Sequence, residues 1–213
     1  MLSLDAALAR CPLLAILRGI RPEEAADIGA ALADTGFTIL EVPLNSPDPL
    51  RTIELLAKRH GAAALVGAGT VMTPADVDGV KRAGGGLIVM PHGDPVVVRA
   101  GKAAGLSVVP GVFTPTEAFA ALANGADALK LFPSEAIPPA VIRAWRAVLP
   151  EATRLIPTGG IGAHNMAAYL EAGVTGIGIG SALYRPGVTA RDIASKGKAL
   201  LKAWDEARGI LSA

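Results

Sequence analysis

Two ionisable residues stand inside apolar runs. Lys130 lies in Ala128-Leu129-Lys130-Leu131-Phe132-Pro133, and Glu41 in Ile39-Leu40-Glu41-Val42-Pro43. A charge taken out of water must be paired, reach solvent or be neutralised. A lysine without its proton is a nucleophilic amine of the kind that forms Schiff bases with carbonyl carbons, and a carboxyl beside it suits proton transfer. The plain alternatives are a lysine that snorkels to water from a strand end and a glutamate at a strand mouth facing solvent.

The elements that would place these two groups can be read from a repeat. Ala-rich helical segments end at Gly36, Gly61, Gly84, Gly105, Gly125 and Gly173, and a short apolar run follows each. The markers fall about 20–25 residues apart, with one interval about twice as long that spans Leu149-Pro150, a repeat expected of successive βα units in a parallel sheet. Glycine ends a helix because it takes the left-handed conformation without steric penalty. The pattern predicts strands at 13–18, 37–43, 63–69, 86–90, 106–110, 127–132, 154–158 and 176–180. Helices are predicted near 22–34, 47–60, 73–83, 94–104, 114–124, 138–148, 163–172 and 189–208, several opened by Pro or a polar cap such as Thr73-Pro74 and Thr114-Pro115. Eight such units without a linker predict one α/β domain over 1–213, a (β/α)8 TIM barrel. An open doubly wound sheet is the alternative.

In such barrels the active site is built at the C-terminal ends of the strands. Those ends carry Arg18, Glu41 with Asn45, Thr70, Pro91 with His92, Lys130 with Phe132 and Ser134, Thr158, and Ser181. Glu41 and Lys130 each lie five residues past a marker glycine (Gly36 and Gly125), which puts them at one depth on the second and sixth strands. Side chains of one interior layer come from alternate strands, so the two groups are expected to converge on one cavity. Arg18 offers a guanidinium for a carboxylate or phosphate, or a structural ion pair with Glu41. Thr70 follows Gly67-Ala68-Gly69 and is placed to hydrogen-bond a substrate or to cap a turn. Thr158-Gly159-Gly160-Ile161 and Gly176-Ile177-Gly178-Ile179-Gly180-Ser181 are Gly-rich loops after the last two strands, where these barrels cradle phosphate on backbone N–H groups. Tight turn geometry is the other reading of these loops.

Composition narrows the classes further. A formal net charge of +1 over 213 residues supplies no field for nucleic acid or an anionic membrane. No apolar run reaches the length of a membrane-spanning helix, and residues 1–5 lack the basic flank and apolar stretch of a signal peptide, so a cytoplasmic location is expected. Cys11 is the single cysteine, and His60, His92 and His164 share no metal-ligand spacing, so no metal is expected.

Several segments resemble the class I aldolases that act on 2-keto-3-deoxy-6-phospho-sugar acids. They are residues 12–20, Leu40-Glu41-Val42-Pro43-Leu44-Asn45-Ser46-Pro47, Val66-Gly67-Ala68-Gly69-Thr70-Val71, Pro110-Gly111 with Thr114-Pro115-Thr116-Glu117-Ala118, the Lys130 segment, Thr158-Gly159-Gly160-Ile161 and Gly180-Ser181. The resemblance runs in order over nearly the whole chain. It implies a TIM barrel, a homotrimer, no cofactor, Lys130 as the Schiff-base lysine and Glu41 as its acid/base partner. It further implies that Arg18 and Thr70 orient the keto-acid head, that Phe132 walls the lysine, and that Gly159, Gly160, Gly180 and Ser181 hold the phosphate. Pro91, Asn45 and Thr158 are also implied to bind substrate, the last two with Met90 deciding which sugar acid is accepted. Pro43-Leu44-Asn45-Ser46-Pro47 resembles the galactonate type, where gluconate types read Thr-Leu-Arg-Thr. Thr158 matches the gluconate type, and Met90 stands where many relatives carry Ser or Thr. The gluconate-type enzyme and a 4-hydroxy-2-oxoglutarate aldolase are therefore the alternatives within the family. A phosphate-binding barrel isomerase or synthase is the alternative outside it.

Overall fold

The computed structural model describes residues 2–211. Its strands are β1 (Leu13–Ile16), β2 (Ile39–Pro43), β3 (Leu65–Gly69), β4 (Leu87–Val89), β5 (Ser107–Val109), β6 (Gly111–Val112), β7 (Leu129–Leu131), β8 (Leu155–Pro157) and β9 (Ile177–Ile179). The helices are α1 (Leu4–Arg10), α2 (Ala25–Thr35), α3 (Pro49–His60), α4 (Pro74–Arg82), α5 (Pro95–Ala103), α6 (Pro115–Ala123), α7 (Pro139–Arg146), α8 (Met166–Glu171) and α9 (Ala190–Leu211). Each predicted strand and helix has a counterpart. The expected fifth strand stops at Pro110, which has no N–H to give to a ladder, and a short strand that was not expected, β6, follows directly. Residues 1, 212 and 213, which fall within the expected domain, lie outside the described residues.

All strand pairs are parallel. One ladder runs β5-β4-β3-β2-β1-β9 and a second β6-β7-β8, giving an α/β fold with a curled parallel sheet. Hydrogen bonds cross both places where the ladders meet. On one side the amides of Asp127 and Lys130 donate to Val108 O and Pro110 O, both at 2.9 Å. On the other, Thr175 N donates to Leu155 O at 2.9 Å, and Thr158 bridges Gly178.

Alternation along the strands divides the apolar residues between the two faces of the sheet. Leu13, Leu40, Val66, Ile88, Val108, Leu129 and Ile177 pack in the large cluster that also holds the helices' apolar faces. Leu14, Ile39, Leu65, Leu87, Val89, Val109, Ala128 and Ile156 form a second cluster inside the curl. By the period of two, Arg18, Glu41, Gly67, Gly69, Lys130, Thr158, Gly178 and Gly180 belong to this inner face, toward the strands' C-terminal ends.

The sequence pattern gave no sign of α1, which brings Leu4, Ala7 and Leu8 into the inner cluster at the strands' N-terminal ends. It is short, has no following strand of its own repeat, and starts on a Ser3 side chain that accepts a hydrogen bond from Ala6 N. Gly61 departs from the expected helix stop. Its φ of −62° is right-handed, unlike Gly36 at 105°, because the chain turns back through Ala63 and Ala64 amides that both donate to His60 O. Among the described residues no helix is long and apolar enough to cross a membrane.

His60, at the end of α3, lies against Gly29 of α2. A Cβ at residue 29 would stand 2.9 Å from its Nε2. That nitrogen is buried with no hydrogen-bond partner among the described residues, and burial, then the neighbouring Arg59, pushes the imidazole pKa below 6.5. Between the lowered folded value and 6.5 the unfolded chain binds more protons, so stability falls as pH drops through that window. Melting temperature measured between about pH 7.5 and about pH 5 should therefore fall more steeply for the wild type than for His60→Gln. Equal slopes would show that this imidazole does not couple folding to pH.

Candidate active site

Glu41 and Lys130 are both withdrawn from solvent, at 1% and 5% exposure. Each is carried on the inner face of a strand whose flanking residues point outward into the helix-facing core. Glu41 pairs in register with Ile16 of β1 and Gly67 of β3, and Lys130 with Gly111 of β6 and Ile156 of β8. Room for the carboxyl comes from β3. A Cβ at Gly69 would overlap Glu41 Oε1, so the glutamate side chain fills the volume that a larger residue there would take.

No ion pair or hydrogen bond joins the Glu41 carboxyl to another described residue. Burial raises its pKa above 4.5, while the charges of Lys130 and Arg18 pull in the opposite direction. The net rise keeps more of the protonated acid than a surface glutamate would, which suits a group that gives and takes protons. Lys130 Nζ stands 4.8 Å from the centroid of the Phe132 ring, on a face that attracts cations. The Phe132–Pro133 peptide is cis, and Ser134 Oγ ties the segment down by donating to Leu131 O (2.8 Å) and accepting from Thr158 N (2.9 Å).

Arg18 lies exposed at the rim, just past the end of β1. It makes no ion pair with Glu41; its Nη1 donates to Asn45 Oδ1 at 2.9 Å, an exposed contact between the loops after β1 and β2. The same loops are joined by Gly19 N donating to Ser46 Oγ (2.9 Å) and Leu17 N to Glu41 O (2.9 Å). Thr70 is half-buried and has a left-handed φ of 57°, unusual for a β-branched residue, with no hydrogen bond from its hydroxyl to the described residues. Pro91 is half-buried at the end of β4, where a Cβ at Gly111 would meet its carbonyl.

A cavity of about 530 Å³ opens over the ends of β1, β8 and β9. Arg18, Phe132, Thr158, Gly159, Gly160, Gly180 and Ser181 line it, which brings together seven of the residues singled out in the sequence. Glu41, Asn45, Thr70, Pro91 and Lys130 are outside that lining, as is His92; Lys130 is one side chain away, behind Phe132. Gly159 and Gly160 have φ of 110° and 65°, so both positions require glycine. Thr158 Oγ1 occupies the space that a Cβ on Gly178 would fill.

Among the lining residues that were not expected are Glu135, His164, Tyr184 and Arg185. Glu135 packs against the loop, its carboxyl atoms where Cβ atoms on Gly159 and Gly160 would be. The Tyr184 hydroxyl donates to Glu24 Oε1 at 3.4 Å, and burial together with Glu24 pushes its pKa up to about 12. A signal for Arg185 was available, since it stands four residues beyond Ser181 in a Gly-rich loop where an anion is expected.

The curled parallel sheet thus carries a buried lysine, a buried carboxyl and glycine loops over a cavity. The model of the KDPG and KHG aldolase family matches residues 4–198, and the chain belongs to that family. It is 48% identical over 198 residues to the probable 2-dehydro-3-deoxy-6-phosphogalactonate aldolase of Rhizobium meliloti, covering 93% of each chain. It is 44% identical to the 2-dehydro-3-deoxy-6-phosphogalactonate aldolase of Escherichia coli, covering 93% of this chain and 97% of that one. The solved native KDPGal structure superposes with a TM-score of 0.92 at 44% identity, over 94% of this chain and 97% of the other.

The raised Glu41 pKa has a consequence for stability. From 4.5 up to its raised folded value the native state binds more protons than the unfolded one, so stability is lost as pH rises through that window. Glu41→Gln keeps the shape and removes the charge. Its melting temperature should exceed that of the wild type at about pH 8, with the gap closing toward about pH 5. A variant less stable than wild type at both values would contradict the assignment.

Proposed function

We propose that this chain is a class I aldolase that cleaves 2-dehydro-3-deoxy-6-phosphogalactonate to pyruvate and glyceraldehyde 3-phosphate. The observation that carries the reading is Lys130, a buried amine over the Phe132 ring whose charge is felt by a buried Glu41. Two relatives named for this activity, at 48% and 44% identity over nearly their full length, support the substrate.

In this reading Lys130 Nζ adds to the C2 ketone, and Glu41 protonates the carbinolamine hydroxyl as water leaves. The Glu41 carboxylate then takes the C4 hydroxyl proton. The C3–C4 bond breaks, its electrons pass into the iminium, and glyceraldehyde 3-phosphate departs from a pyruvate enamine. Protonation at C3 followed by hydrolysis returns pyruvate and the free amine. Arg18, held by Asn45, and the unpaired Thr70 hydroxyl orient the keto-acid head beside Pro91. The backbone of Gly159, Gly160, Gly180 and Ser181 receives the phosphate, and Thr158 and Phe132 wall the reacting carbons.

We further infer that the sheet closes as an eight-stranded (β/α)8 barrel forming one domain, a reading supported by the bonds that cross both meetings of the two ladders. A homotrimer is in keeping with the apolar side chains of Met72, Val96, Phe113 and Phe119, each about half exposed on neighbouring βα units.

Cleavage of the two C4-epimeric phospho-keto acids, measured side by side, tests the substrate. The galactonate epimer should have a kcat/KM at least about tenfold higher, a difference of about 1.4 kcal/mol in transition-state binding. The reverse preference would make this a gluconate-type enzyme. Glu41→Gln should lower kcat by about 10²–10⁴-fold on either epimer, and unchanged turnover would remove its acid/base role.

A further inference from the structure

The cavity over the Gly159–Gly160 loop is lined by an arginine that no side chain among the described residues engages. Arg185 lines the cavity and is exposed, and among the described residues it makes no ion pair and no side-chain hydrogen bond. Arg18, the other guanidinium of the lining, is already bonded to Asn45.

The backbone around Arg185 is held from both sides. Tyr184 N donates to Gly180 O at 3.0 Å, which closes residues 180–184 into one turn, and Arg185 follows directly on that turn. Tyr184 is buried and anchored to Glu24, which also accepts from Arg21. On the other side, Pro186 Cγ would lie 2.8 Å from a Cβ on Gly19, so its ring is seated on the loop after β1. A long flexible side chain is thereby mounted on a fixed base at the cavity edge, which lowers the entropy lost when it binds a ligand.

The charges of the lining ask for an anion. Two guanidiniums, Arg18 and Arg185, face a single carboxylate, Glu135, and the glycine loops add backbone with no side chains in the way. Glu135 also makes the position of a phosphate sensitive to compensation, because a phosphate dianion beside a carboxylate is repelled unless a cation offsets it.

We propose that Arg185 is a further substrate-binding residue that pairs with the phosphate of the keto acid, completing a site begun by the Gly159–Gly160 and Gly180–Ser181 backbone. The proposal rests on the phosphorylated-substrate reading above. Its planar fork suits two phosphate oxygens, whereas a lysine would offer a point charge.

Steady-state kinetics on wild type, Arg185→Gln and Arg185→Lys separate this role from a structural one. The three readouts are KM for the phosphorylated keto acid, Ki for inorganic phosphate and Ki for pyruvate, which carries no phosphate. Arg185→Gln should raise the first two about tenfold while moving the pyruvate Ki by less than about threefold, and Arg185→Lys should recover part of the phosphate Ki. An unchanged phosphate Ki, or a pyruvate Ki displaced by the same factor, would overturn the role of Arg185. A wild-type enzyme that cleaves no phosphorylated keto acid would overturn the substrate reading, and this assignment with it.

Discussion

An amine and a carboxyl are kept inside a parallel sheet without touching. Lys130 and Glu41 are almost wholly withdrawn from water, yet no ion pair closes between them. Direct pairing would compensate the burial of each, and would also occupy the two groups that act on the substrate in the proposed mechanism. The structure instead offsets burial piecemeal, with the Phe132 ring under the Lys130 amine and the charges of Lys130 and Arg18 acting on Glu41 at longer range. The result is a carboxyl that leans toward its protonated form and a lysine held in place by packing. Stability is given up at the point where the proposed chemistry takes place, a pattern common to active sites.

That arrangement depends on small residues where the sheet is most crowded. Gly69 leaves the space that Glu41 enters, and Gly178 the space that Thr158 enters. The rim is then tied together by few but specific bonds. The loop after β1 is bound to the loop after β2 through Arg18–Asn45 and Gly19–Ser46, and Pro186 from the loop after β9 rests on Gly19. Ser134 joins the segment after β7 to Thr158 after β8. Residues far apart in the chain thus form parts of a collar at the cavity rim. In the reading proposed here, one side of the collar binds the keto-acid head and the other the phosphate.

Much of this was legible in the sequence because the fold is a repeat. Glycine after each helix and an apolar run after each glycine placed the eight strands, and equal distance from a marker glycine put Glu41 and Lys130 at one depth. What the repeat does not encode was harder to see. Helix α1 lies outside it, Gly61 ends its helix in a right-handed conformation, and the short strand β6 follows Pro110. Side-chain partners across loops were also hidden. Arg18 bonds to Asn45, not Glu41, because the β1–β2 register brings their loops together at the rim while Glu41 points inward. Glu135 escaped notice as an ordinary polar residue, although the absence of side chains at Gly159 and Gly160 leaves room for it. Family membership adds a likeness that no single motif carries, 48% identity over 198 residues to a protein named for the galactonate substrate.

The central claim is that Lys130 makes the covalent bond to the keto acid. Incubation with pyruvate and borohydride, followed by peptide mapping, tests it most directly. The account predicts a reduced pyruvate adduct on the peptide containing Lys130, absent from Lys130→Ala and absent without borohydride. Folded protein that gives no adduct, or an adduct on a different lysine, would contradict it.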